Sequence, residues 1–195
     1  MADERRAILE AAVHEFAEFG LSEATLDSIA GRAGLDPGVA RALFIDKPRL
    51  LRELLEEITD PLVSGIGVAV AGIEDPREVM RKSLRLYDQW LTDHPDFVRL
   101  MVRCALDGAE SLGALYQKSL LPSEFYERLQ LAISRNQMHC KDLFILSLLL
   151  DSLIMFPHMI RSSLESMAPK TRAEETLEAR FDAVLDLFEK GLYSP

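Results

Sequence analysis

The closely spaced stop signals Gly20 and Gly34 constrain this chain more than any other sequence feature. Apolar residues recur every three or four positions over residues 5–19, which predicts an amphipathic helix that Gly20 can end as a C-cap. Beyond it, Thr25 is a suitable N-cap for a second helix of only about two turns, which Gly34 stops. The chain therefore begins with one longer helix and one short helix.

A third helix follows after a tight turn. Asp36 is an acidic N-cap, and Pro37 occupies the first helical position, where the missing N–H has no cost. Asp46 can cap a fourth helix that runs from about Lys47 to a break at Pro61. Two short helices joined by a glycine-containing turn, after a longer one, are typical of a helix-turn-helix whose second helix enters the major groove.

The remainder of the chain keeps a helical pattern, with proline and glycine at the breaks and no convincing alternation of period two, so we predict an all-α fold. Residues 143–160 approach the length of a membrane span, but Asp151 and Pro157 favour a helix buried between two subunits. The last helix, about 173–191, places Leu177, Phe181, Val184, Leu185 and Phe188 on one face.

The stretch from residue 8 to residue 50 resembles the DNA-binding module of the TetR family along its whole length without a gap. The matching residues are Ala11, Ala12, Phe16, Gly20, Thr25, Ile29, Ala30, Ala33, Gly34, Gly38, Phe44, Lys47 and Leu50. The resemblance implies a DNA-binding domain over residues 1–50, a connecting helix over about 47–60, and a ligand-binding and dimerisation domain over 61–195. It also implies a homodimer formed through the last two helices, which binds a pseudo-palindromic DNA operator and a small effector.

The resemblance assigns phosphate contacts to Thr25 and Lys47. The third helix is the predicted recognition helix, the one that enters the major groove. Its predicted DNA-facing residues are Pro37, Gly38, Val39, Arg41 and Ala42. Arg41 stands where the family usually has a tyrosine, and it is the only side chain there able to bind guanine through two hydrogen bonds. Val39 and Ala42 offer at most contacts to thymine methyl groups.

The charge of the chain argues against a general polyanion binder, because the net charge is -10. Residues 1–52 hold seven basic and nine acidic side chains, so their net charge is 7 - 9 = -2. Asp27 and Asp36 lie close to the predicted reading surface, which is the DNA-facing side of the third helix. We therefore expect modest DNA affinity, steep salt dependence and specificity that leans on DNA shape or half-site spacing. Arg5 and Arg6 either reach the DNA backbone or minor groove or form a disordered arm.

An effector pocket, if the chain has one, is expected among the middle helices, lined by aromatic and methionine side chains, although at helical spacing each such side chain is more often plain core. The candidates are Tyr87, Trp90, Phe97, Met101, Phe125, Tyr126, Met138, Phe156 and Met159. They indicate an apolar or aromatic effector.

Other chemistry has little support in the sequence. The histidines and cysteines lack the spacing of a metal or disulfide site, so we expect no metal and no cofactor. The N-terminus lacks a secretory signal, and we expect a cytoplasmic protein without a membrane span. We predict a ligand-responsive transcriptional regulator, and the resemblance implies that it is a repressor. One alternative is a ligand-binding dimer of the same fold with degenerate DNA binding; a helical-bundle enzyme is the third, although no catalytic motif supports it.

Overall fold

The computed structural model of the protein describes residues 2–107, 121–167, 179–187 and 190–191. Its helices, labelled in chain order, are α1 (Ala2–Glu23), α2 (Leu26–Arg32), α3 (Pro37–Leu43), α4 (Lys47–Val70), α5 (Pro76–Asp93), α6 (Pro95–Asp107), α7 (Ser123–Ser134), α8 (Leu143–Met159) and α9 (Arg161–Met167). Residues 179–187 are helical as well. The described residues contain no β-strand, and the predicted all-α fold is confirmed.

The described part of the predicted last helix is helical, while Leu177 and Phe188 lie outside the described residues.

The chain forms two compact units. The first contains the residues up to Pro61 together with α6, and the second contains Leu62–Asp93 together with the helices from α7 onwards. The assignment of DNA binding to residues 1–50, and of ligand binding and dimerisation to residues 61–195, stays a prediction. By its contacts, however, α6 belongs with the N-terminal helices, because it packs along α1.

In the first unit, α1 packs against α2, α3 and α6 and carries the centre of the core, where Ile8, Ala12 and Phe16 are fully buried. The predicted end of α1 at Gly20 is a kink: Gly20 has φ 80° and ψ 169°, and the helix continues to Glu23. This backbone conformation is essentially restricted to glycine. The kink therefore turns the chain towards α2 at the position where the sequence has no side chain.

The predicted break of the fourth helix at Pro61 is wrong, because α4 continues through Pro61 to Val70. A proline inside a helix costs about 3 kcal/mol, since it removes one backbone hydrogen bond and crowds the preceding turn. Beyond the proline, Leu62, Ile66 and Val70 keep the helical spacing and are buried. Burial of three such side chains contributes about 1.5–3 kcal/mol each, which outweighs the cost of the proline.

In the second unit, α5 packs against α7 and α8. Polar side chains also join elements of this unit. The Tyr87 hydroxyl donates to Asp151 on α8 at 2.9 Å, and Arg180, in the helical stretch 179–187, donates to Asp88 on α5 at 2.6 Å. Burial raises the pKa of Asp151, and the Tyr87 hydrogen bond opposes that shift. In the described part of the chain, no helix is long and apolar enough to cross a membrane.

Candidate nucleic-acid interface

The start of α2 is fixed by a reciprocal cap. Thr25 is the N-cap, its hydroxyl accepts a hydrogen bond from the Ser28 backbone N–H at 3.0 Å, and the Ser28 hydroxyl accepts one from the Thr25 N–H at 3.0 Å. Such a capping box satisfies two N–H groups that a helix start leaves without partners. Thr25 is exposed. It therefore acts as the N-cap of α2, and its phosphate contact stays a prediction.

The start of α3 is fixed by Asp36, whose Oδ1 accepts a hydrogen bond from the Gly38 N–H at 2.8 Å, with Pro37 in the first turn. A Cβ atom on Gly38 would lie 2.9 Å from that same carboxylate oxygen, so a larger residue would displace the cap. The inner side of α3 buries Ala40 and ends at the buried Phe44. The predicted DNA-facing residues lie on the other side: Pro37, Gly38, Arg41 and Ala42 are exposed, and Val39 is half-buried.

Arg41 is held by a carboxylate on the neighbouring helix. Its Nε donates to Asp27 Oδ1 at 3.0 Å, and its Nη2 donates to Asp27 Oδ2. Both side chains remain about half exposed. The one guanidinium of α3 is thus oriented by α2. The sequence showed that Asp27 is near the reading surface but did not reveal this pairing, because the partners lie on different helices.

Lys47 lies at the start of α4 but bonds to the chain around the end of α1. Its Nζ lies 2.6 Å from the Leu21 carbonyl oxygen, 2.8 Å from that of Ala24 and 3.3 Å from that of Ser22. An ammonium group has three donors, and these carbonyls can accept all of them. Lys47 therefore ties α4 to the segment between α1 and α2, while its phosphate contact stays a prediction.

Most other cations of the first unit are also paired. Arg5 bonds to Glu53 at 2.6 Å and to Glu57 at 3.2 Å, and its guanidinium lies 5.8 Å from the ring centre of Phe44. The hydrogen bond to Glu53 raises the pKa of Arg5. The pKa of Glu53 is lowered by its hydrogen bond from Arg49 and, to a smaller extent, by the one from Arg5. Arg5 belongs to α1 rather than to a disordered arm. Because these cations are neutralised locally, the described residues of the first unit form no broad basic patch.

No protein-family profile matches the chain. A curated relative, the HTH-type transcriptional activator FasR of Mycolicibacterium smegmatis, is 32% identical over 100 residues, which make up 51% of this chain and 46% of FasR. The chain thus matches about half the length of that relative.

Solved structures match over nearly the whole chain. A TetR family transcription regulator from Marinobacter aquaeolei is 18% identical, with a TM-score of 0.72 over 100% of this chain and 97% of its own. The chain has the TetR-family fold. The regulator FadR of Bacillus subtilis, solved in complex with stearoyl-CoA, is similar at 16% identity and a TM-score of 0.72, over 93% of this chain and 96% of its own. The fatty acid degradation regulator FadR of Bacillus halodurans has a TM-score of 0.69 at 18% identity, over 94% and 93% of the two chains.

Within this TetR-family fold, the predicted DNA-binding residues all lie on α2, α3 and the start of α4, or immediately before them, and the first unit contains every one. The predicted resemblance is therefore confirmed at the level of the fold. The assignment of individual residues to DNA stays a prediction.

The predicted pocket residues are spread over both units. Phe97 and Met101 lie on α6 in the first unit, and the others lie in the second. Tyr87, Phe125 and Met138 are buried, and the rings of Phe125 and Tyr126 meet edge to face at 5.3 Å. Phe156 and Met159, in contrast, are exposed on α8. The exposure of these last two residues suits a surface covered by a partner more than it suits the wall of a cavity. The pocket as a whole stays a prediction.

Proposed function

We propose that the chain is a cytoplasmic, ligand-responsive transcriptional regulator that binds an operator as a homodimer. The observation that carries the proposal is the pair α2 and α3, a helix-turn-helix with both N-caps formed and with Arg41 exposed on the outer side of its second helix. A helix with this exposure can enter the major groove and present its side chains to base edges.

The dimer is proposed from one side of α8. Large apolar side chains on about half of this helix are exposed in the single chain: Phe144, Ile145, Leu148, Leu149, Leu153, Phe156 and Met159. A patch of this kind is uncommon on a monomer that functions alone. A second copy would cover it through a two-fold axis and form a helical bundle between the subunits.

The proposed regulation follows from the dimer. Two α3 helices that read one operator must lie about one DNA turn apart, roughly 34–36 Å. The reading head of each subunit is its proposed DNA-binding domain, residues 1–50. An effector that binds one separation of the two reading heads better than another shifts the dimer between these separations and changes operator affinity. We propose that the outcome is repression, relieved when the effector binds.

The proposed effector is apolar. The buried aromatic and methionine side chains of the second unit supply apolar surface, and the similar FadR of Bacillus subtilis was solved with stearoyl-CoA, which carries a long acyl chain. Long-chain acyl-CoA is therefore the first effector to test, with free CoA as its matched control. Release of DNA by acyl-CoA but not by CoA would support an apolar effector of this class.

The test of DNA binding is a selection from duplexes randomised over about 25 base pairs, a length that holds two half-sites one helical turn apart. Wild type is compared with Arg41→Ala and with Arg135→Ala, which removes an exposed arginine of the second unit. We expect wild type and Arg135→Ala to select one two-fold motif at low salt and Arg41→Ala to lose it. Failure of wild type to enrich any motif would refute the proposal.

A second candidate function is a ligand-binding dimer whose reading head no longer binds DNA. The pairing of Arg41 with Asp27, and of Lys47 with three carbonyls, favours it, because both cations already have partners within the chain. Acyl-CoA binding without any enriched DNA motif would identify this second function.

A further inference from the structure

Asp27 contacts one particular edge of the Arg41 guanidinium. A guanidinium is planar and has two edges that each present a pair of parallel N–H groups: a side edge formed by Nε and Nη2, and an end edge formed by Nη1 and Nη2. Asp27 accepts from Nε and Nη2 and so occupies the side edge. Among the described residues, no group is bonded to Nη1.

Asp27 leaves the end edge open, and this edge can bind two acceptors on a base. Guanine presents O6 and N7 in the major groove, and an arginine fork binds both at once. A free arginine side chain loses considerable rotamer freedom when it makes such a contact. Asp27 restricts the guanidinium in advance, since two hydrogen bonds fix both its position and the rotation of its plane. The residue predicted to face the DNA is therefore oriented by a carboxylate on the other helix of the motif.

We propose that Asp27 is a specificity-determining positioning residue, which holds Arg41 so that its end edge binds guanine at one position of each half-site. The inference rests on the proposed function, because it requires α3 to lie in the major groove. It adds a role for α2 in sequence selection, through a side chain that need not touch a base.

The charge of Asp27 has a second, separable effect. Its carboxylate lies beside the reading surface, where it repels the phosphates of any DNA regardless of sequence. Removal of the charge should therefore strengthen binding to all sequences alike while it weakens the preference for guanine. A carboxylate that merely competed with DNA for Arg41 would give a different pattern: its removal would strengthen binding and leave the guanine preference intact or increase it.

The experiment uses the full chain and the motif that wild type selects from the randomised library. Each position of the motif is replaced by the other bases, and the affinity ratio is measured for wild type, Arg41→Ala, Asp27→Asn and Glu23→Gln. Asp27→Asn keeps the shape of the side chain and removes its charge. Glu23→Gln removes an exposed charge of the same sign near the start of α2 without changing a partner of Arg41. Thermal unfolding of each variant checks that the reading head remains folded.

We expect wild type to discriminate one guanine per half-site by about 5- to 150-fold, the usual range for a bidentate contact. Arg41→Ala should lose this discrimination, Asp27→Asn should lose most of it while it binds unrelated DNA more tightly, and Glu23→Gln should keep it. Retention of the full guanine preference by Asp27→Asn would overturn the inference while the regulator function stands. Retention of every base preference by Arg41→Ala would overturn it as well. If wild type selects no motif at all, the proposed function fails and the inference fails with it.

Discussion

Lys47 provides the sharpest test of how the reading head is held together. Its ammonium lies within 3.3 Å of three backbone carbonyl oxygens, those of Leu21, Ser22 and Ala24. Substitution by methionine keeps an unbranched side chain of similar size and removes only the charged donor group. Any loss of stability in Lys47→Met then measures what the donor contributes.

The expected loss is about 2 kcal/mol. A hydrogen bond to a charged group contributes about 1.5–3 kcal/mol when its partner is shielded from water. The three bonds share one ammonium, and Lys47 is only half-buried, so water can replace part of the interaction in the variant. The three contributions are therefore not additive. A loss of this size lowers the equilibrium constant for folding by roughly 30-fold.

The assay is urea unfolding at one protein concentration, since association of subunits adds to the apparent stability. Lys82→Met is the matched control, because Lys82 is exposed on α5 in the second unit. Amide exchange at Ala24 and Ser28 reports local opening where the carbonyls lie. If Lys47→Met is within about 0.5 kcal/mol of Lys82→Met, and if exchange at both amides is unchanged, the argument that Lys47 stabilises this segment is refuted.

The same variant separates the structural role of Lys47 from a phosphate contact. A lysine that binds phosphate releases a counterion, so its removal lowers the slope of log affinity against log salt concentration by about 1 per site. A lysine that acts only on backbone carbonyls leaves the slope unchanged.

Three further outcomes follow from the structure. Gly20→Ala should lower the free energy of unfolding by about 1–3 kcal/mol, because φ 80° and ψ 169° suit only glycine, whereas Gly31→Ala, with open space around it, should cause no loss; thermal unfolding compares the two. Asp151→Asn should stabilise the chain at neutral pH. Burial raises the pKa of Asp151 in the folded state, so wild type gains stability as the pH falls through that raised pKa towards the ordinary aspartate value of about 4; melting curves against pH should show this gain in wild type and not in the variant. Phe156→Glu should convert the proposed dimer to monomers in sedimentation at micromolar concentration, and Leu86→Glu, which alters an exposed apolar residue of α5, should remain dimeric.

Where a helix starts depends on residues close in sequence, and the starts of α2 and α3 were predicted. Thr25 caps α2 through a residue three positions away, and Asp36 caps α3 through a residue two positions away. Such caps form from local backbone geometry, which the sequence encodes directly. The order and spacing of these signals also predicted the fold that the comparisons confirm. The orientation of α3, with Arg41 outward and Ala40 inward, follows from the same helical period.

Long-range partners were decided only by the tertiary structure. The continuation of α4 through Pro61 depends on the burial of Leu62 and Ile66, and a local proline rule cannot weigh that burial against the lost hydrogen bond. The partners of Arg41 and Lys47 lie 14 and 23 to 26 residues away in the chain, and packing of helices brings them together. The sequence thus determined which residues could face DNA. Packing determined which of their hydrogen-bond donors are already occupied, because that depends on distances between helices.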